Sequence, residues 1–347
     1  MVTIGIDPHK GSHTAVALDG NEVELARLTV RAGAHQRARL LRWASGFDER
    51  VWAIESAGGL GYLLAQQLVA AGERVLDVPA TLSARARVLD SGRSDKNDPN
   101  DARAAAVVAL RGSKVLVVGA AGDTEVLRML ARRNVELGQS TNKACCRLHA
   151  LLVDMVPGGS AKAIAVAQVS ALLADVKATN PVEAQRLELA WELLADVDRL
   201  RLQRRDLGVR IAKAVAASKT GLTDIFGVGP VVACMVIGHT GDVTRFATRH
   251  RYTAYNGTAP REVSSGGKVR HRLSRRGNRQ LNHAIHIVAI TQIRFPQSPG
   301  RAFYDRKIAE GKTHKEALRA LKRRVSDVIY RQLVADAHRA EARAVGN

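Results

Sequence analysis

The chain has 347 residues, which at about 150 residues per domain makes two domains or three, and its 46% hydrophobic and 25% charged residues are an ordinary globular mixture. Its charge is not ordinary: 53 Lys and Arg against 33 Asp and Glu leave +20, and residues 241–347 alone hold 23 basic and 8 acidic side chains. That imbalance points to a polyanion, nucleic acid before membrane, and no apolar run approaches the roughly 18 residues of a membrane span. Residues 1–7 lack the basic and long apolar regions of a secretory leader. Cys145, Cys146 and Cys234 show no metal-ligand spacing. A soluble, reduced, cytoplasmic protein without a membrane partner is expected.

In chain order, Val2–Asp7, Thr14–Asp19 and Glu22–Val30 are short β-compatible runs, with Asp19-Gly20-Asn21 the clearest turn. Ala34–Ala44 reads as a helix, Val51–Glu55 as a strand, Gly59–Ala71 as an amphipathic helix and Arg74–Val78 as a strand. Three strands followed by alternating helix and strand is the order of a ribonuclease-H-like α/β domain, although other α/β layouts share it.

Asp7 ends the first strand and Glu55 a later one. In Asn97-Asp98-Pro99-Asn100-Asp101, Pro99 suits the first helical position, so Asp98 is expected as the N-cap and Asp101 in the first turn. Positions three apart share a helix face. In such a sheet the first strand is central and its end lies beside the fourth strand's end, so four carboxylates meet where a late helix crosses. That is an oxygen-ligand site for Mg²⁺, with Mn²⁺ as the alternative. Taken singly, each acid has a plainer reading as helix cap, strand terminator or surface carboxylate.

From Leu127 the period changes. Leu127, Leu130, Asn134, Leu137, Thr141, Ala144, Leu148, Leu151 and Met155 keep a 3,4 spacing, a coiled-coil seam with two polar positions. Leu193, Val197, Leu200, Leu207 and Ile211 repeat similar spacing, so an antiparallel helical hairpin is expected, either an ordinary bundle or a dimerising arm. Further on, Gly227-Val228-Gly229-Pro230 before an apolar helix looks like a helix-hairpin-helix turn, in which Gly227 and Gly229 let backbone amides approach a phosphate or simply open a helix.

Between Arg261 and Arg279 stand seven Lys or Arg and one acid, Glu262. Arg261, Lys268, Arg270, Arg272, Arg275, Arg276 and Arg279 are candidates for phosphate contact. The pair Ser264-Ser265 precedes Gly266-Gly267 in what reads as a flexible, exposed turn. A hydroxyl there, among cations that stabilise charge on an attacked phosphate, is a candidate nucleophile, and either serine fits the spacing. His283 and His286 sit among apolar neighbours and read as partly buried structural residues. With three Trp, five Tyr and five Phe, base stacking is not the main binding mode.

These residues together resemble a family, the IS-one-ten type of bacterial insertion-sequence transposases, related to the Piv/MooV DNA invertases. Gly5-Ile6-Asp7, Ala53-Ile54-Glu55-Ser56 and Lys96–Ala102 look like its RuvC-like domain. Gly227–Pro230, Ala259-Pro260-Arg261, Ser265-Gly266-Gly267-Lys268 and Arg276–Leu281 look like its transposase domain. The resemblance covers nearly the whole chain. It implies a RuvC-like domain over 1–115, a helical oligomerisation region over 123–217 and a mainly α transposase domain over 218–340. It also implies that Asp7, Glu55, Asp98 and Asp101 ligate the metal and that Ser265 is the nucleophile of a recombinase that joins DNA through a serine–phosphate intermediate. The expected partners are target and donor DNA, a non-coding bridge RNA that specifies both, and further copies of the chain in a tetramer, a dimer of dimers. The working place is the cytoplasm, at the nucleoid during transposition. Two rivals remain: a metal-dependent endonuclease that activates water, and a non-catalytic nucleic-acid-binding protein.

Overall fold

The protein is described here by a computed structural model covering residues 1–91, 97–112, 115–161, 163–265, 268–273 and 277–345. It divides into two compact units, Met1–Ala121 and Gly122–Asn347.

The first unit holds β1 (Val2–Pro8), β2 (Ser12–Leu18), β3 (Glu24–Arg31), α1 (Gln36–Ala44), β4 (Arg50–Glu55), α2 (Tyr62–Val69), β5 (Val75–Val78), α3 (Ala80–Ser91), α4 (Asp98–Arg111) and β6 (Leu116–Val117). The sheet order is β3-β2-β1-β4-β5-β6. β1, β2 and β3 are antiparallel neighbours, while β1, β4 and β5 run parallel. This is the ribonuclease-H-like arrangement expected from the order of elements. Alternation along β1 and β4 sorts side chains between two helical layers. Ile4, Ile6, Trp52 and Ile54 join a core with Leu40 of α1 and with Leu64 and Leu68 of α2. On the other face Ala53 packs with Ala105 of α4, and Val16 and Leu18 pack with Ala102 and Ala106. The short α3, not expected from the sequence, packs on α4.

The second unit is mostly helical. It contains α5 (Asp123–Met155), α6 (Val166–Ala174), α7 (Pro181–Ala217), a single 3-10 turn (Leu222–Asp224), α8 (Pro230–Thr240), α9 (Arg249–Tyr255), β7 (Pro260–Ser265), β8 (Lys268–Leu273), α10 (Arg279–Arg294), α11 (Pro299–Ala309) and α12 (His314–Val345). One hydrophobic core runs from α5 to α12. The seam of α5 is covered within the chain. Leu127, Leu130, Leu137, Ala144 and Leu148 are buried in the same cluster as Leu194, Val197, Leu207 and Ile211 of α7. Of the seam's polar positions, Asn134 accepts from Arg204 Nε at 3.4 Å and Thr141 caps its own turn by donating to Leu137 O at 2.7 Å. Among the described residues, no helix is long and apolar enough to cross a membrane.

Candidate functional site

The acidic site follows from strand parity. Ile4 and Ile6 point to the α1/α2 core, so Gly5 and Asp7 take the opposite face, toward α4. A Cβ at Gly5 would lie 1.9 Å from Ala102 O and 2.7 Å from Ala106 N, so glycine is what lets α4 rest directly on the strand. On β4, Trp52 and Ile54 take the first face and Ala53 the second, which leaves Glu55 on the side of α4. Ile6 and Ile54 are register partners, so the two acids stand one step further along adjacent parallel strands. Beyond Glu55 the chain turns at Ser56, whose φ of +51° is left-handed for a residue with a Cβ. Its amide donates to Val78 O at 2.8 Å and its carbonyl accepts from Gly59 N at 2.8 Å, which fixes the strand end.

Helix α4 begins one residue earlier than the sequence indicates. Asn97, not Asp98, is the N-cap, its side chain accepting from Asn100 N at 2.9 Å. Asn and Asp are equivalent as caps, and extended backbone at Asn97 decides between them. Asp98 and Asp101 both remain in the first turn, with Asp101 buried and Asp98 exposed.

Asp7, Glu55 and Asp101 line one open cleft of about 350 Å³. Asp98 joins them from the helix end: ligand atoms of Asp7, His9 and Asp98 lie within 4.8 Å of one another. Burial raises the Asp7 carboxyl to about 6, His9 opposes that shift, and the charges of Asp101, Glu55 and Asp98 add to it. Asp7 is only 7% exposed, and its Oδ2 has no hydrogen-bond partner. The His9 Nδ1 stands 3.4 Å from that oxygen without hydrogen-bond geometry. A buried, unsatisfied carboxylate oxygen facing further carboxylates is costly unless a cation completes it. The donor set therefore fits a hard divalent ion such as Mg²⁺ or Mn²⁺.

Two residues of this cleft were missed from sequence. His9 carries a modest signal, an imidazole two residues beyond a strand-end Asp. Arg87 on α3 carries none, yet its guanidinium is ion-paired with Asp101.

In the second unit, the serine segment is a paired β-hairpin rather than a flexible turn. Ser264 pairs with Val269 and Ser265 with Lys268. The register puts Arg261, Val263 and Ser265 on one face with their partners Arg272, Arg270 and Lys268. Glu262 and Ser264 fall on the other face with His271 and Val269. Gly266, Gly267, Arg275 and Arg276 lie outside the described residues. Arg279 is exposed in the first turn of α10.

Polar side chains clamp both roots of the hairpin. Asn256 is fully buried and donates to Ser326 Oγ at 2.7 Å. Asn282 donates to Asn256 O at 2.8 Å and accepts from Lys322 Nζ at 2.7 Å, and burial lowers the Lys322 ammonium from its usual range. At the far root, the Asn278 amide donates to Tyr255 O at 2.7 Å. His286 is half-buried and held toward its neutral form by burial and by Lys322, whereas His283 is exposed.

The glycine turn separates into two roles. Gly227 has φ +85°, and a Cβ there would meet Thr291 at 3.3 Å, so its glycine serves the turn and the packing on α10. Gly229 is the N-cap of α8 without a side-chain cap, and a Cβ there would meet nothing within 4 Å. The amides opening α8 are thus not screened by a Cβ at Gly229.

With this geometry in place, two family models match the chain. The model described as "Transposase IS116/IS110/IS902 family" matches residues 219–305, and a second, described as "Transposase", matches residues 4–157. The chain is 26% identical to the insertion element IS116 uncharacterized 44.8 kDa protein of Streptomyces clavuligerus, over 96% of this chain and 94% of that one. It is 28% identical to the insertion element IS900 uncharacterized 42 kDa protein of Mycobacterium paratuberculosis, over 96% and 95%. Among solved structures, Thermus thermophilus RuvC matches 34% of this chain and all of its own, at 18% identity and a TM-score of 0.27. The matched regions take in the acidic strand ends, the helix of Asp98 and Asp101, and the serine hairpin, and the chain belongs to the IS116/IS110/IS902 transposase family.

Proposed function

We propose that the chain is a DNA strand-transfer enzyme in which Asp7, Glu55, Asp98 and Asp101 hold Mg²⁺ and Ser265 is the nucleophile. The observation that carries the metal half is the buried Asp7 Oδ2, left without a hydrogen bond among acids that converge from two strands and a helix. Bound there, the cation polarises the scissile phosphate and offsets charge developing on its oxygens. The serine half rests on the family match and on register: Ser265 shares a hairpin face with Arg261, Lys268, Arg270 and Arg272, whereas Ser264 shares the other with Glu262.

In the proposed step, Ser265 loses its hydroxyl proton and its oxygen bonds to phosphorus. The bond to the 3′ oxygen breaks, and that oxygen takes up a proton, which leaves a 5′-phosphate esterified to the protein. After strand exchange, an incoming 3′-hydroxyl reverses the step, so the ester conserves the bond energy. The cations of the hairpin, Arg279, and the open end of α8 at Gly229 hold nucleic-acid backbone; Arg275 and Arg276 belong to the same segment by sequence. Such contacts position DNA without reading it. That suits a protein whose sequence choice is made by a bridge RNA pairing with target and donor DNA. The helical region 123–217 joins copies into a tetramer, a role supported by apolar side chains that α5 and α7 leave exposed, including Met129, Val153, Val182, Leu202 and Val209.

The acids are complete within the first unit, and this observation favours a second reading, an endonuclease that activates water at the metal. Gel analysis of denatured reactions separates the two. A serine recombinase gives a covalent protein–DNA adduct that Ser265→Ala abolishes and Ser264→Ala retains. Cleavage by Ser265→Ala without any adduct supports the water mechanism. DNA binding by the wild type with neither cleavage nor adduct, left unchanged by Asp7→Ala, points to a binding protein with a degenerate site.

A further inference from the structure

Arg87 lies in the acidic cleft, ion-paired with Asp101 and with only 17% of its side chain exposed. An arginine keeps its charge at any working pH. Beside this pair, Asp7 Oδ2 is buried with no hydrogen-bond partner. A guanidinium and a divalent ion repel at short distance in a partly desolvated cleft, so the two compete for the Asp101 carboxylate.

We propose that Arg87 is an internal placeholder cation: it holds Asp101 in the metal-free chain, a divalent ion displaces it from that carboxylate, and the guanidinium becomes a ligand for the DNA phosphate. This rests on the reading of the acids as a cation site. The planar, two-pronged guanidinium matches a phosphate as well as a carboxylate, so a phosphate is a suitable new partner. Arg87 stands on α3, which packs on the helix that bears Asp98 and Asp101. Metal binding then costs the Arg87–Asp101 contact and DNA binding recovers it, which makes the two ligands mutually reinforcing.

The test uses the full-length chain and Mn²⁺ alone, with free Mn²⁺ followed by electron paramagnetic resonance. Arg87→Gln is expected to bind Mn²⁺ about tenfold more tightly than the wild type, within the usual range of couplings between ligands. Arg87→Lys, which keeps the charge and loses the fork, falls between them and serves as the measure if the glutamine variant does not fold. In parallel, Mg²⁺ added after EDTA raises the melting temperature of Arg87→Gln more than that of the wild type. Equal affinities and equal melting shifts in all three proteins overturn the placeholder role. If Asp7→Asn abolishes Mn²⁺ binding in that case, the metal reading still stands. Mn²⁺ binding unchanged by Asp7→Asn overturns the metal reading, and the placeholder with it.

Discussion

The acidic cleft and the basic hairpin are built by opposite means. The cleft assembles acids that are distant in sequence, on two strands and a helix, and their convergence depends on α4 lying against a bare glycine at Gly5. The hairpin collects its residues within a dozen positions, sorts them by alternation alone, and is held at its roots by Asn256 at the end of α9, Asn282 on α10, and Ser326 and Lys322 on α12. Charge follows the same division. The cleft concentrates acids whose charges, added to burial, raise the Asp7 carboxyl, while the hairpin segment concentrates cations. Precision comes from tertiary packing in the first case and from local register in the second.

The largest expected effect lies on the hairpin. Ser265→Ala reduces strand transfer by at least about 10³-fold, the scale for loss of a nucleophile, while Ser264→Ala, on the other face, stays within a few-fold; single-turnover assays of donor cleavage compare them. Comparable losses in both variants would mean that register does not separate the two serines.

Next come two changes in the cleft. In the unfolded chain the Asp7 carboxyl ionises near 3.8, and in the folded chain near 6. Between those values the folded state binds the additional proton, so metal-free stability falls as pH rises through the window, by roughly 1.4 kcal/mol per pH unit and about 3 kcal/mol in all. Asp7→Asn removes this decline, so in EDTA at pH 7 it melts above the wild type and gains nothing from Mg²⁺. Urea denaturation from pH 4 to 7 checks the sign. Gly5→Ala drives a methyl group into the α4 backbone and costs about 3 kcal/mol, the upper end for overpacking. It also weakens Mn²⁺ binding, because Asp98 and Asp101 move with the helix. Unchanged metal affinity in a folded Gly5→Ala chain would show that the acids do not depend on this contact.

The smallest effect belongs to single cations. Arg270→Gln lowers DNA affinity a few-fold and reduces the slope of log affinity against log salt by about 1. Titrations at several salt concentrations measure it, and an unchanged slope removes Arg270 from the phosphate contacts.

Much of this architecture was legible in the residues. Asp7 and Glu55 could be placed because strand alternation is a local property, and Asp98 with Asp101 because three residues make nearly one helical turn. The choice of Asn97 over Asp98 as cap was not legible, since both side chains do that job and only backbone conformation separates them. Helix α3 escaped notice because Leu82, Val88 and Leu89 are exposed and make no buried stripe, and Arg87 went with it. The hairpin was hidden for a related reason: its alternation sets cations, not apolar residues, on one face. The matching spacings of α5 and α7 let their pairing be read from the sequence, and the two do share one core. Spacing alone left open whether that pairing makes an ordinary bundle or a dimerising arm.

The most direct test of the account is to map the reaction's covalent intermediate. Full-length protein, the RNA from its flanking DNA, a donor DNA and Mg²⁺ are combined, and the products are digested and read by mass spectrometry. The account predicts a DNA phosphate on the peptide containing Ser265, present with Mg²⁺ and absent with EDTA or in Asp7→Ala. Donor cleavage with that peptide unmodified, or an adduct that forms without divalent metal, would contradict it.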